Sequence, residues 1–393
     1  MQKLKSRIDP DLVLSILKDC LPGNEGVIQL HEPYLCGNEW KYVKDCLDTG
    51  WVSSAGSYVK EFEIRLSEYT GVRHAVACVN GTTALQISFL LAGIKPGDEV
   101  IVPALTFVAT ANAVTYVGAE PHFADSEERT LGIDPLKLDE WLSETTIVKN
   151  GECINRKTGK RIKAVVAVHV FGHPVDLDSL LETCQRFKLE LIEDAAEALG
   201  SFYKDRHVGQ WGCFGILSFN GNKTVTTGGG GALLTNDGEL AKYAKHLTTT
   251  ARISNSLAFY HDQIGYNFRL PNLNAALGCA QLEQLPTFIN KKRALAERYE
   301  RAFANVPGLC FFKEPEFAKS NYWLNAILLD EDQASQRDPI LELTNRNNIA
   351  TRPTWTLMHK LPMYQQCQKM DLSEAENLER RLINIPSSAF LYD

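Results

Sequence analysis

The chain is organised around the stretch Ile216-Leu217-Ser218-Phe219-Asn220-Gly221-Asn222-Lys223-Thr224-Val225-Thr226-Thr227, which four glycines follow at 228–231. Two functional side chains, Ser218 and Lys223, lie five residues apart in this stretch. After the glycines comes a strand-like apolar run, Ala232-Leu233-Leu234. Because little acid is nearby in sequence, the amine of Lys223 is suited to act as a nucleophile or to bind an anion.

Three interpretations of Lys223 are consistent with these residues alone. The first is a solvated lysine in a turn. The second is a phosphate-binding P-loop, but that motif needs a glycine directly before the lysine, where this chain has Asn222. The third is a lysine that holds pyridoxal phosphate (PLP) as a Schiff base, with Ser218 reaching the phosphate. The remainder of the chain distinguishes among them.

The composition is that of an ordinary globular protein. Of 393 residues, 44% are hydrophobic and 23% are charged, which allows a large core. The length suggests about two to three domains. A net charge of −7 and a pI near 5.8 argue against nucleic acid as the main partner. They leave room for an anionic small substrate, because local arginines and helix N-termini bind anions.

The cysteines and the apolar segments indicate the environment of the chain. Ten cysteines are scattered from Cys20 to Cys367 without a CxxC pair, so we expect no metal site and reduced thiols in the cytoplasm. Residues 1–18 carry charges throughout and lack the apolar core of a signal peptide. No run of about 18 apolar residues occurs, so no membrane span is expected.

From Arg73 onward, apolar strand-like runs alternate with helix-like segments. The predicted strands are 74–79, 99–102, 121–124, 163–170, 189–192 and 232–235. Predicted helices between them include 84–92, 176–187 and 238–246. This alternation predicts an α/β fold with a mostly parallel central sheet and helices on both faces.

The pattern changes near residue 250, and we expect three parts. They are an N-terminal arm with helices (1–50), a large α/β domain (51–250) and a small C-terminal α+β domain (251–393). In the last part a helix over 273–303 contains Pro286 and is broken or kinked there, and further elements are predicted as strands at 321–328 and 349–355 and helices at 339–347 and 373–382. The polar insertion Val148–Arg161 is predicted to be a loop.

Ligands of a parallel α/β sheet bind at the carboxyl ends of its strands, so residues at those ends are functional candidates. Gly81-Thr82-Thr83 follows the first strand and offers hydroxyls and helix N–H groups to an anion, or simply an N-cap. Asp194 follows another strand and can pair with the ring nitrogen of PLP, or cap a helix. Phe107 can stack on a flat ring or lie in the core. Glu197 can lie beside the phenolate edge of the ring or at the surface.

Taken in order, these residues resemble the fold-type I PLP enzymes of the DegT/DnrJ/EryC1/StrS group, which are aminotransferases of nucleotide-linked ketosugars. The resemblance covers nearly the whole chain, from about Ile28 to Ser388. It rests on five blocks of sequence: Asn80-Gly81-Thr82-Thr83-Ala84-Leu85, Gly97-Asp98-Glu99-Val100-Ile101-Val102-Pro103, Glu193-Asp194-Ala195-Ala196, Ser218-Phe219-Asn220-Gly221-Asn222-Lys223 and Gly265-Tyr266-Asn267-Phe268-Arg269-Leu270.

The resemblance implies a role for each matched residue. Lys223 resembles the catalytic lysine that binds PLP covalently, Asp194 resembles the partner of the ring nitrogen, and Phe107 resembles the stacking ring. The phosphate ligands that it implies are Ser218, Thr82 and the amide of Thr83.

Two further positions matter to the cofactor site. Asn267 resembles the residue that reaches the phosphate from the other subunit, which implies a homodimer with its active site at the interface. Many relatives carry Gln or His where this chain has Glu197. A carboxylate there needs a proton, a different contact or a nearby cation, so the resemblance leaves its role as a cofactor ligand open.

The implied activity is transfer of an amino group from glutamate to a nucleotide-linked ketosugar, with PLP alternating with pyridoxamine phosphate. The presence of Lys223 favours transamination over the related sugar 3-dehydratase, in which histidine replaces the lysine. A non-catalytic regulator with the same fold is a further alternative, which the acidic composition and the lack of a DNA-binding appendage disfavour.

A resemblance to one branch of the family indicates which sugar the enzyme uses. Gly37-Asn38-Glu39-Trp40 and Glu197 make the chain similar to the legionaminic-acid and bacillosamine branch. That similarity implies a UDP-linked 4-keto-6-deoxy-N-acetylhexosamine aminated at C4, with a GDP-perosamine-type or 3-keto sugar as the alternative. Candidate substrate contacts are Arg252 and Arg269 for a carboxylate or diphosphate, and His359 and Tyr364 for the sugar. Both arginines are equally suited to structural ion pairs.

Overall fold

The computed structural model describes residues 7–23, 26–253 and 258–392 of the chain. Its α-helices are α1 (Pro10–Cys20), α2 (Glu39–Thr49), α3 (Ser57–Thr70), α4 (Gly81–Leu91), α5 (Val108–Tyr116), α6 (Pro135–Thr145), α7 (Leu177–Phe187), α8 (Gly238–Thr248), α9 (Asn272–Phe303), α10 (Arg337–Arg346) and α11 (Ser373–Arg381). Short 3₁₀ helices lie at Val170–Gly172, Glu331–Gln336, Met358–Lys360, Pro362–Tyr364 and Ala389–Tyr392.

The strands form three sheets. Their bounds are β1 (His74–Cys78), β2 (Glu99–Pro103), β3 (Glu120–Ala124), β4 (Thr146–Lys149), β5 (Glu152–Asn155), β6 (Arg161–Val168), β7 (Glu190–Asp194), β8 (Phe202–Tyr203), β9 (Arg206–His207), β10 (Phe214–Ser218), β11 (Gly231–Thr235), β12 (Leu309–Phe311), β13 (Ala318–Lys319), β14 (Asn325–Leu329), β15 (Arg352–Pro353) and β16 (Leu382–Ile385).

The central sheet has nine strands and follows the order β1-β11-β10-β7-β6-β2-β3, with β5 beside β6 and β4 beside β5. The five strands from β10 to β3 run parallel to one another, and β11 is antiparallel to both of its neighbours. Strands β2, β10 and β11 are almost wholly buried, because helices cover both faces of the sheet. The predicted α/β class and the mostly parallel sheet are confirmed.

The prediction of a polar loop over Val148–Arg161 is wrong. Residues Thr146–Lys149 and Glu152–Asn155 form an antiparallel hairpin, which joins the central sheet through β6. The hairpin turns at Asn150 and Gly151, whose φ angles are +53° and +80°. Asn-Gly is the dipeptide that a two-residue hairpin turn favours, because both of its residues need positive φ.

The C-terminal part contains a four-stranded antiparallel sheet in the order β12-β14-β16-β15. Two of its predicted strands are shorter than expected. The strand predicted to start at residue 321 starts at Asn325, because Tyr322 has a φ of +48° and turns the chain. The strand predicted over 349–355 keeps only Arg352 and Pro353, since proline cannot donate to a further partner.

Helix α9 runs without interruption for 32 residues and contains Pro286. It continues through the proline because the turns on either side bury apolar residues, among them Leu285 and Ile289. Its first half packs on α2 and α3 beside the central sheet. Its second half packs against α1 and the C-terminal sheet. The division at residues 50 and 250 therefore stays a proposal, with α9 as the element shared by the two larger parts.

Among the described residues, no helix is long and apolar enough to cross a bilayer. Within the same ranges, no group of three or more His, Cys, Asp or Glu side chains is placed to hold a metal ion.

Candidate active site

A cavity of about 370 Å³ lies where the parallel strands end. The register brings these ends to one level, since Asp194 of β7 pairs with Val168 of β6 on one side and with Ile216 of β10 on the other. The cavity is lined by six of the predicted cofactor residues, which are Thr82, Phe107, Asp194, Glu197, Ser218 and Lys223.

One end of the cavity is suited to an anion. Gly81 and Thr82 are the first residues of α4. Their N–H groups have no carbonyl partner within the helix, because no helical turn precedes them. Ser218, at the end of β10, lies against this helix start, because a Cβ atom on Gly81 would be 3.2 Å from the Cβ of Ser218. Two hydroxyls and a helix N-terminus therefore converge here, which is the donor set that a phosphate group requires.

The amide of Thr83, predicted to bind phosphate, is already engaged. It donates to Asn80 Oδ1 at 2.8 Å, and the Thr83 hydroxyl donates to the Asn80 carbonyl at 2.9 Å. Asn80 is the N-cap of α4, and an N-cap side chain takes the amide three residues on. Thr83 does not line the cavity, so the structure assigns the anion end to Thr82 and Ser218 without it.

Asp194 lies deeper in the cavity and is 6% exposed. Its Oδ2 accepts from the Thr110 hydroxyl at 2.7 Å, and its Oδ1 accepts from the Ala196 N–H at 3.2 Å. Burial raises the pKa of the Asp194 carboxyl, while these two donors and the charge of Lys223 act in the opposite direction. A cationic ring nitrogen beside Asp194 would supply the opposite charge that a buried carboxylate needs.

Lys223 lies between two partners inside the cavity. Its Nζ is 3.3 Å from Glu197 Oε1 and 3.8 Å from the centre of the Trp323 ring. The other carboxylate oxygen of Glu197 accepts from the Phe171 N–H at 2.9 Å. Burial raises the pKa of Glu197, and the Lys223 charge is the largest influence that lowers it. In this structure Glu197 is the counter-ion of the lysine.

Phe107 stands at the mouth of the cavity and is 53% exposed. Its ring is 6.3 Å from that of Trp355, which in turn packs against Phe171 at 5.1 Å. Because Trp355 covers only part of Phe107, one aromatic surface stays open toward the cavity. Phe107 is therefore placed where it can stack on a flat ligand.

The remaining predicted residues lie elsewhere. Arg269 is bound to Glu63 at 2.7 Å and to the Ala77 carbonyl at 2.9 Å, so it occupies the structural ion pair that was its alternative. Arg252 is exposed, packs over the Phe259 ring at 4.1 Å and lines a separate groove beside α8. Neither arginine lines the cavity at the strand ends.

The two residues predicted for the sugar end are also outside this cavity. His359 is buried and its Nε2 is 3.1 Å from Glu376. Burial lowers the pKa of His359, and the hydrogen bond to Glu376 opposes that shift. Tyr364 is buried and donates to Asn112. Asn267, predicted to act across a subunit interface, is exposed and does not line the cavity within its own chain.

Several cavity residues were missed from the sequence, among them Thr110, Trp323 and Trp355. Thr110 lies three residues after Phe107, one turn into α5, and this helical spacing is the signal that places its hydroxyl on the same side. Trp323 and Trp355 come from the C-terminal part, 100 or more residues after Lys223, and no local pattern connects them to it. All three line the cavity.

The cavity fits PLP by the chemistry of its side chains. An amine, a buried carboxylate, an exposed aromatic face and a hydroxyl-rich helix N-terminus match the aldehyde, ring nitrogen, flat ring and phosphate of that cofactor. Lys223, Asp194 and Phe107 would hold the first three, and Thr82 and Ser218 would hold the phosphate.

Comparison with known proteins identifies the family of the chain. The model of the DegT/DnrJ/EryC1/StrS aminotransferase family matches residues 33–393. The chain is 38% identical to GDP-perosamine synthase of Vibrio cholerae, over 93% of this chain and 95% of that protein. It is also 38% identical to GDP-perosamine synthase of Escherichia coli O157:H7, over 92% and 93%.

A solved structure shows the same fold. The aminotransferase TlmJ from Streptoalloteichus hindustanus superposes with a TM-score of 0.84 at 30% identity, covering 94% of this chain and 95% of that one. The chain therefore belongs to the DegT/DnrJ/EryC1/StrS aminotransferase family. It is a sugar aminotransferase, and PLP is its cofactor.

Proposed function

We propose that this enzyme transfers the amino group of glutamate to the C4 keto carbon of a nucleotide-linked 4-keto-6-deoxy sugar. The observation that carries the proposal is the lining of one cavity by Lys223 and Asp194, with Thr82 and Ser218 at its anion end. PLP, when bound, supplies the electron sink that lets a proton leave the carbon bearing the donor's amine.

The residues of the chain then have distinct tasks in this proposal. Lys223 Nζ is the base that takes the proton from the donor carbon and returns it on the cofactor side, which is worth about 10² to 10⁴ in rate. Glu197 holds that amine at 3.3 Å. Asp194, fixed by Thr110, keeps negative charge in the deepest part of the cavity.

We further propose that the nucleotide is guanosine diphosphate. The sequence alone favoured a UDP-linked N-acetylhexosamine, with the GDP-perosamine type as the alternative. Similarity over more than nine-tenths of the chain to two GDP-perosamine synthases supports that alternative. A GDP-linked 4-keto-6-deoxyhexose is therefore the first substrate to test, and the UDP-linked sugar is the second.

We also propose a homodimer with shared active sites. Large apolar side chains are exposed in two segments of the chain, 40–51 and 259–264. In the first segment Trp40 is 82% and Trp51 is 59% exposed. In the second segment Phe259 is 78% and Ile264 is 86% exposed. Exposed apolar groups of this size support an interface between protein chains. Asn267 is exposed close to the second segment, which supports its proposed contact with the phosphate in the opposite subunit.

A cytoplasmic location completes the proposal. It is supported by the ten cysteines of the chain, which are scattered without a CxxC pair, a pattern typical of thiols kept reduced.

The activity is tested by incubating purified enzyme with glutamate and each ketosugar nucleotide in turn, followed by mass spectrometry. We expect the GDP-linked 4-keto-6-deoxyhexose to gain an amine while 2-oxoglutarate accumulates. Loss of water from the sugar without consumption of glutamate would indicate the dehydratase instead. Loss of turnover in Lys223→Ala, at unchanged melting temperature, is the expected control.

The shared site is tested by mixing two inactive variants, Lys223→Ala and Asn267→Ala, under conditions that exchange subunits. In the mixed dimer, one site combines an intact Lys223 with an intact Asn267 from the opposite chain. We expect about one quarter of wild-type activity, because half of the dimers are mixed and each has one complete site. An inactive mixture would contradict the proposal that Asn267 acts across the interface.

A further inference from the structure

The segment Asn321-Tyr322-Trp323 comes from the C-terminal part and lies across the site. The Asn321 side chain donates to the carbonyls of Glu197 and Leu199 at 2.8 and 2.9 Å. Its Oδ1 accepts from the N–H of Trp323 at 2.8 Å. The side chain of Asn321 therefore ties the Glu197 turn to the main chain of Trp323.

Trp323 contacts the lysine segment in two ways. Its Nε1–H donates to the Asn222 carbonyl at 2.8 Å, which fixes the peptide immediately before Lys223. The face of its ring lies 3.8 Å from Lys223 Nζ, within the range of a cation–π contact. The residue is 5% exposed, and it lines both the cavity at the strand ends and a neighbouring cavity of about 440 Å³.

The buried amine of Lys292 contacts the main chain of Trp323. Lys292 of α9 is 0% exposed and its Nζ donates to the carbonyls of Trp323 and Ser387. Burial lowers the pKa of Lys292 well below its ordinary value. The hydrogen bond from Lys292 to the Trp323 carbonyl therefore ties the backbone of Trp323 to α9 and, through the second bond, to Ser387, and the indole ring can act as a fixed surface.

We propose that Trp323 is the positioning residue of Lys223. The indole N–H fixes the backbone that carries the lysine, and the ring face holds its amine when the amine is not bonded to the cofactor. Glu197 holds the amine from a second direction at 3.3 Å, so the two contacts restrict where it can move. The inference rests on the proposed role of Lys223 as the proton-transferring group.

Two substitutions separate the contributions of Trp323. Trp323→Phe keeps an aromatic face and loses the hydrogen bond to Asn222, whereas Trp323→Leu loses both contacts. The control is Trp141→Phe, because Trp141 is a partly buried indole that packs on His122, away from the cavity. Melting temperatures of all variants identify any loss of fold.

Two rates are measured for each variant. The first is kcat for transamination, with the KM for the sugar nucleotide. The second is the rate at which PLP-free protein captures added PLP, followed by visible absorbance, which reports Lys223 without turnover. We expect both rates to fall about fivefold in Trp323→Phe, as for one lost hydrogen bond. In Trp323→Leu we expect kcat to fall about 30-fold, since the cation–π contact to the ammonium that forms on proton transfer is lost too. KM should stay within about twofold.

Wild-type capture and turnover in both Trp323 variants would overturn the inference. So would a rise in KM with unchanged kcat, because that result would make Trp323 a substrate contact. So would a fall in Trp141→Phe equal to that in Trp323→Phe, because any lost indole would then have the same effect. Full turnover in Lys223→Ala would instead overturn the proposed function on which the inference rests.

Discussion

Replacing Glu197 by glutamine removes one charge from the centre of the site and leaves its shape nearly unchanged. The amide oxygen can still accept from the Phe171 N–H, which the carboxylate now does at 2.9 Å. The ion pair with Lys223, whose side chain is 13% exposed, is lost. The substitution therefore removes both the cost of burying the Glu197 carboxylate and the attraction of that carboxylate to Lys223.

The magnitude depends on two opposing effects. At 3.3 Å and an effective dielectric constant near 20, two unit charges attract by about 5 kcal/mol. Burial of the carboxylate opposes this attraction, as the raised pKa of Glu197 indicates. The Trp323 ring also continues to stabilise the ammonium after the substitution. Because the net shift of the Glu197 pKa is upward, burial outweighs the attraction to Lys223, and at neutral pH we expect Glu197→Gln to leave the PLP-free protein as stable as the wild type or more stable, by up to about 1 kcal/mol.

Thermal unfolding of the PLP-free proteins measures this change. With about 2.1 cal/mol/K of unfolding entropy per residue over 393 residues, a gain of about 1 kcal/mol raises Tm by about 1 °C. The matched control is Glu239→Gln, which breaks the exposed pair of Glu239 with Lys242 and should cost less than about 0.5 kcal/mol. A Glu197→Gln protein that is clearly less stable than both the wild type and Glu239→Gln would refute the reasoning.

Three further predictions concern Asp194, Arg269 and pH. Asp194→Asn should lower the rate of the half-reaction with glutamate by about 10²- to 10³-fold in stopped-flow absorbance. Thr110→Val, which removes one hydrogen bond to Asp194, should lower the same rate about fivefold. Equal effects of the two substitutions would contradict the separate roles of the carboxylate and of its hydrogen bond. Arg269→Ala should cost about 2 kcal/mol of stability by urea unfolding, because it leaves the Glu63 carboxylate with Lys245 as its ion-pair partner beside the Ala77 N–H; the KM for glutamate should stay unchanged, and a raised KM would show that Arg269 contacts the substrate. Folding raises the pKa of Asp194 and Glu197 above their ordinary values of 3.8 and 4.5, so the folded PLP-free protein binds these protons more tightly than the unfolded chain. Their contribution to stability is therefore present at low pH and lost as pH rises through the folded pKa values, and Glu197→Gln should make this decline shallower in unfolding measured across pH.

Much of the sheet could be predicted because its signals are local. The runs at 75–78 and 100–103 are apolar along their length, and Leu191-Ile192 is the apolar centre of the strand at 190–194, as is typical of strands buried on both faces. The residue that ends such a strand faces the crevice, which is why Asp194 could be chosen without coordinates. The hairpin at 146–155 also had a local signal in Asn150-Gly151, but its polar composition concealed the strands on either side.

The features that could not be predicted depend on residues far apart in sequence. Whether the Thr83 amide is free depends on the conformation of Asn80. Thr82 and Thr83 suit phosphate equally well by residue type, but the Thr83 amide is engaged once the Asn80 cap forms. Arg269 meets Glu63 across 206 positions, and Trp323 meets Asn222 across 101. Contacts over such separations are set by packing of the whole chain, so residue type and spacing alone do not reveal them.

The most direct test of the site is to ask which lysine holds PLP. Borohydride treatment of the PLP-loaded enzyme fixes the cofactor to its lysine, and peptide mass spectrometry locates it. The structure predicts the adduct on the peptide containing Lys223, the only lysine that lines the cavity within the described ranges. An adduct on Lys292, or on any lysine outside the cavity, would contradict it.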